Sequence, residues 1–106
     1  MYKEIYERAK HYEDTNARFL MDIVKIPSFS TKEKEVAKRI LKEMQEIGLN
    51  EAYIDPLGNV IGRLGCGKKV IAFDAHIDTV YPGALSLWDF DPFDAHLKDG
   101  KIRGRG

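Results

Sequence analysis

Hydrophobic residues recur at helical spacing through the first half of the chain and shift to short strand-like runs after residue 50. Ile5, Ala9, Tyr12, Phe19, Leu20, Ile23 and Val24 fall at intervals that keep one apolar face, interrupted by Asn16. The pattern predicts one helix, or a pair broken near Asp14–Asn16, ended by Pro27, because the residue before a proline is pushed out of the helical region. A second helix is announced by Ser30-Thr31-Lys32-Glu33, a capping-box pattern with Ser30 as N-cap and Glu33 reaching back. Val36, Ala37, Ile40, Leu41, Met44 and Ile47 form its apolar stripe, and Gly48 sits where a left-handed C-terminal cap belongs.

Beyond Gly48 the period changes. "EAYID" reads as a short strand, "PLGN" as a turn closed by Gly58 and Asn59, and "VIGRL" as a second strand. "GCGKK" reads as a further turn. "VIAFDA" is apolar on both faces, as expected of a central strand covered by helices. An irregular stretch, "YPGALSLWDFDPFD", leads to a last pair, "AHL" and "KIRG", with Lys98-Asp99-Gly100 turning between them. Helices followed by strands, one of them buried on both faces, predict an α/β fold with helices packed on a mixed β-sheet.

Composition narrows the function classes. A chain of 106 residues suits one small domain, here residues 1–106, with a modest core. Seventeen basic residues balance seventeen acidic ones, so nothing marks a nucleic acid or an anionic membrane as partner. No run approaches the roughly 18 apolar residues of a membrane span. The opening "MYKEIYERAK" lacks the apolar core of a signal peptide. The single cysteine, Cys66, allows no internal disulfide and fits a reducing, cytoplasmic setting.

Most candidate chemistry is weak. Gly62 to Lys69 approaches a phosphate-cradling loop, but Lys69 stands where a serine or threonine should hold magnesium, and a strand is predicted where a helix should begin. Cys66 has no pKa-lowering neighbour in sequence and reads as a turn residue. His11 and His96 read as surface residues, each without a partner at ligand spacing. Trp88, Phe90 and Phe93 with Pro92 read either as lining of a substrate cleft or as anchors pinning a loop. Arg103 and Arg105 read as carboxylate binders or, more simply, as exposed ends of the final strand.

His76 and Asp78 differ from these. Two residues apart at the end of an apolar strand, their side chains share a side, and the carboxyl ends of strands are where open α/β sheets bind ligands. A neutral imidazole suits zinc or cobalt, and a carboxylate close by can fix its tautomer. Spacing alone leaves two readings open: a strand-end histidine bonded to its neighbour, or one part of a metal site. Asp74 is in register but deeper in the strand.

The order of blocks carries more than any one of them. "IPSFSTKEKEVAKRI", "DPLGNVIGRL", "AHIDTV", "WDFDPF" and "DGKIRGRG" arrive in an order and spacing that resemble the N-terminal part of the aminoacylase–carboxypeptidase family of metallohydrolases. That family includes acetylornithine deacetylase, succinyl-diaminopimelate desuccinylase and related dipeptidases. The wording of "FDAHIDTV" and "LSLWDFDPF" looks closest to the subgroup linked to selenium metabolism. The resemblance implies a zinc-peptidase-like catalytic domain with two zinc ions, cobalt or manganese being possible substitutes, and hydrolysis of linear amide bonds in acylated amino acids or small peptides. It implies that His76 is a metal ligand, and that Asp78, which orients that imidazole, is an active-site residue with a catalytic role. It also implies that the complete enzyme is a homodimer built through a smaller lid-like domain. Gly104–Gly106 matches the loop leading to an aspartate that bridges both metals, and that aspartate, the catalytic glutamate and the other ligands are not in the sequence. The chain is therefore expected to be an inactive N-terminal segment by itself. The alternative is a stand-alone, non-catalytic module that keeps half the fold and binds a partner.

Overall fold

The computed structural model describes residues 1–105; Gly106, the end of the glycine-rich block matched above, lies outside the described residues. The chain divides into two compact units, one formed by Met1–Lys25 with the residues from Pro82 onward, the other by Ile26–Tyr81.

In the first unit, α1 (Tyr2–His11) and α2 (Glu13–Val24) are a broken pair, and the break falls at Tyr12 rather than at Asp14–Asn16. The charges explain the earlier position. Arg8, Lys10 and His11 occupy the last turn of α1, while Glu13 and Asp14 occupy the first turn of α2. Each set complements the partial charge of its helix end. The apolar face expected along both helices is only partly used. Phe19, Ile23 and Val24 are half-buried, but Ile5, Ala9, Tyr12 and Leu20 are exposed, and neither helix has a fully buried residue. The unit also holds a short 3₁₀ turn (Leu85–Leu87) and a hairpin of β3 (His96–Lys98) with β4 (Lys101–Arg103), in which Leu97 faces Ile102. Asp99 and Gly100 both lie at positive φ, 51° and 70°, as a primed two-residue hairpin turn requires.

In the second unit, α3 (Lys34–Glu46) packs on an antiparallel hairpin of β1 (Glu51–Ile54) and β2 (Val60–Arg63). Val36 and Ala37 are buried, Ile40, Leu41 and Met44 half-buried. Ile47, expected in the stripe, is exposed; it is the C-cap residue, one past the last residue of α3. Gly48 closes the helix at φ 78°, its N–H donating to the Gln45 carbonyl and that of Leu49 to the Met44 carbonyl at 3.1 Å each. This is a Schellman cap. Gly62 lets the hairpin approach the helix: a Cβ there would lie 2.6 Å from Leu49 Cδ1 and 2.7 Å from Met44 Sδ.

Two expectations are corrected. Ser30 is not the N-cap of α3. The helix starts at Lys34, with Glu33 at the cap position, and the Glu33 carboxylate accepts from the Thr31 N–H at 2.8 Å. Ser30 is drawn off by a distant carboxylate, described below. The expected mixed sheet is also absent among the described residues: the strands form two separate two-stranded antiparallel sheets. "VIAFDA" forms no strand, and Val70, Ile71 and Phe73 are exposed, Phe73 at 95%. A central strand is held by ladders on both sides, and no described segment pairs with this one. What survives of the expectation is a mixture of helices with small sheets, consistent with the α/β class.

Candidate functional site

The site is built where residues 28–31 meet residues 76–81. Pro27 biases Ile26 toward extended backbone, and the segment after it runs alongside the residues that follow His76. Phe29 and Thr79 form a parallel bridge, the Thr79 N–H donates to the Ser28 carbonyl at 2.8 Å, and the Ser28 and Thr79 hydroxyls lie 3.2 Å apart. The rings of Phe29 and Tyr81 stack with centroids 3.8 Å apart. Ser28 is almost fully buried in this clasp.

The clasp presents His76 and Asp78 together, although the strand expected to carry them is not formed. The His76 Nδ1–H donates to the Asp78 backbone carbonyl at 2.9 Å and lies 3.2 Å from its carboxylate Oδ1. Both partners are acceptors, so the proton of a neutral imidazole belongs on Nδ1. That leaves the Nε2 lone pair available, on a side chain that is 84% exposed. The other carboxylate oxygen, Oδ2, accepts from the Ser30 hydroxyl at 2.5 Å. The Ser30 hydroxyl first, and the His76 imidazole after it, hold the Asp78 carboxyl below its ordinary pKa. The result is a line of three side chains, serine to aspartate to histidine, ending in one free nitrogen donor.

A neutral imidazole whose far nitrogen is fixed by a carboxylate is the usual form of a metal-ligating histidine, so this donor fits a divalent metal. It makes one ligand. Among the described residues no group of three or more histidine, cysteine, aspartate or glutamate side chains is placed to hold a metal ion. Asp74 is exposed and is bonded to neither His76 nor Asp78 among those residues. The serine at the far end of the line escapes a sequence reading because its partner lies 48 positions away and its local context reads as a helix cap.

The remaining candidates take other places. Cys66 is exposed in an irregular stretch. His11 packs edge-on against Tyr12, their ring centroids 4.9 Å apart. His96 is half-buried rather than on the surface, tilted against Phe90 with its Nδ1 enclosed. Trp88 donates from its indole to the Pro82 carbonyl at 2.8 Å and meets Phe90 edge-on, which anchors the loop. Arg103 is exposed, as expected, paired with Asp89 at 3.2 Å and set over the Phe90 ring. Arg105 is not an exposed strand end: only 4% of it is exposed. It donates to the Val24 carbonyl and lies 4.1 Å over the Phe93 ring, and burial lowers its pKa from the ordinary guanidinium value. An arginine so engaged is structural.

No family model and no solved structure matches the chain. Among curated proteins it is 49% identical, over 99% of its length, to the uncharacterized protein YgeY of Escherichia coli (strain K12), covering 26% of that protein. It is 35% identical, over 80% of its length, to the uncharacterized metallohydrolase MJ0457 of Methanocaldococcus jannaschii, covering 26% of it. It is 33% identical, over 89% of its length, to a protein of Staphylococcus epidermidis (strain ATCC 12228 / FDA PCI 1200) named probable succinyl-diaminopimelate desuccinylase, covering 24% of it. The chain thus spans about a quarter of the length of the curated relatives it matches. No helix among the described residues is long and apolar enough to cross a membrane. The likenesses support a metallohydrolase family for this chain, without singling out a subgroup within it.

Proposed function

We propose that this chain is the N-terminal segment of a metal-dependent hydrolase that cleaves linear amide bonds of acylated amino acids or small peptides. The observation that carries the reading is the fixed imidazole. Asp78 takes the Nδ1–H of His76 and leaves Nε2 exposed toward solvent. The names of the relatives support the same chemistry. His76 would hold one of two divalent ions through Nε2, zinc being favoured by an imidazole donor, with cobalt or manganese accepted. When bound, such ions polarise the amide carbonyl and make water nucleophilic near neutral pH. Asp78 keeps the imidazole in the ligating tautomer and stops the ring from rotating.

The remaining ligands and the general base are assigned to parts of the enzyme outside this sequence, as are the lid-like domain and the homodimer contact. A cytoplasmic location accords with the single exposed, unpaired cysteine. Within the family, the wording of residues 73–80 and 85–93 favours the subgroup linked to selenium metabolism.

The test is His76→Ala in the full-length protein. Bound metal, measured by atomic absorption after dialysis, is expected to fall together with hydrolysis of N-acyl amino acids. The thermal midpoint of the metal-free protein should stay near wild type, because the side chain is so exposed. Wild-type metal content in the variant would overturn the reading.

A further inference from the structure

The geometry points to Ser30 as a positioning residue for the metal-ligating imidazole, acting through Asp78; this rests on the function proposed above. A carboxylate on a strandless stretch of chain can rotate about its own side-chain torsions, and Asp78 needs one oxygen kept toward His76. Its other oxygen is taken by the Ser30 hydroxyl at 2.5 Å, a short bond of the kind made when the acceptor is charged. With both oxygens engaged, one by Ser30 and one by His76, the carboxylate plane is set from two sides.

Separate features aim Ser30 at this task. The residue two before it, Ser28, is buried against Thr79, the residue after Asp78, through both backbone and side chain. The residue between them, Phe29, is bridged to Thr79 and stacked on Tyr81. The residue after it, Thr31, lies at φ 72°, in the left-handed region that a β-branched side chain rarely enters. It is held there by its N–H bond to the Glu33 carboxylate and by the turn that the Lys32 N–H closes on the Phe29 carbonyl. Strain retained against a residue's own preference marks a backbone determined by its surroundings. Here it turns the chain into α3 directly after the serine, instead of letting Ser30 begin the helix as its cap.

The test measures zinc affinity of the full-length protein by competition with a chromophoric chelator, in the wild type and in Ser30→Ala, Ser30→Thr, Ser30→Val and His76→Ala. Partners that orient a ligand are commonly worth about 10–100-fold in metal affinity, and one bond further out we expect Ser30→Ala to weaken zinc roughly 3–10-fold. Ser30 is exposed, so the thermal midpoint of the metal-free protein should not move. Ser30→Thr keeps the hydroxyl and should bind as wild type, whereas the isosteric Ser30→Val should bind as weakly as Ser30→Ala. If His76→Ala loses zinc while Ser30→Ala binds as wild type, or if the Thr and Val variants bind alike, the role of Ser30 is refuted and the metal reading stands. If His76→Ala also keeps wild-type affinity, both fall.

Discussion

Asp55 shows how much one side chain can organise. One of its oxygens accepts from the backbone N–H groups of Leu57 and Asn59 at 2.9 Å each, and the other from the Asn59 side-chain amide at 2.8 Å. The Asn59 amide first, then the backbone donors, hold the Asp55 carboxyl below its ordinary value of 3.8. A depressed carboxyl contributes stability that is fully present above its unfolded pKa and is lost as the pH falls through the lower folded value. Asp55→Ala should therefore be less stable than wild type at pH 7, and the gap should narrow as the pH drops below 3.8. Urea denaturation at pH 7 and pH 3 checks this; an equal gap at both would show that the charge is not what counts. At this scale the sequence was a good guide where partners are close along the chain, as with the contact of His76 with Asp78; the turn at Gly58 and Asn59 was legible too, but not that Asp55 organises it. It misled where they are distant. Ser30 has the local pattern of a cap, and only its contact with Asp78 assigns it elsewhere.

Helices and tight turns were legible for the same reason: their bonds close within a few residues. The stripe of α3, its glycine stop and the Asp99-Gly100 hairpin turn stand close to where the pattern puts them. Gly48 is the sharpest case. Its φ of 78° is costly for any residue with a Cβ, and two of the end carbonyls of α3 depend on the turn it makes. Gly48→Ala should cost about 1 kcal/mol, read from the urea midpoint. A neutral result would mean that the cap relaxes without loss. The third strand was not legible as an outcome, because its apolar residues report only a wish to be covered. Whether Val70–Phe73 become a strand depends on neighbours elsewhere in the chain, and no described segment supplies them. Their exposure also explains why His76 is positioned by a clasp rather than by a ladder.

At the level of the whole molecule, the order of five sequence blocks carried the family-level reading, and the individual motifs did not. The same scale sets a limit on what these 106 residues can do alone. Zinc sites use three protein ligands when catalytic and four when structural, and a single imidazole in water binds too weakly to compete with solvent and protons. The described residues place no three donors together, and the one fixed imidazole stands 84% exposed. The isolated polypeptide of this sequence should therefore show no stoichiometric zinc site in a calorimetric titration at neutral pH, whereas on the function proposed above the full-length protein should bind zinc tightly. His76→Ala in the isolated chain should then change nothing measurable, although in the full-length protein it should remove metal. A tight, stoichiometric site in the isolated chain that vanishes in His76→Ala would place further ligands within this sequence and refute the assignment of the missing donors to other parts of the enzyme.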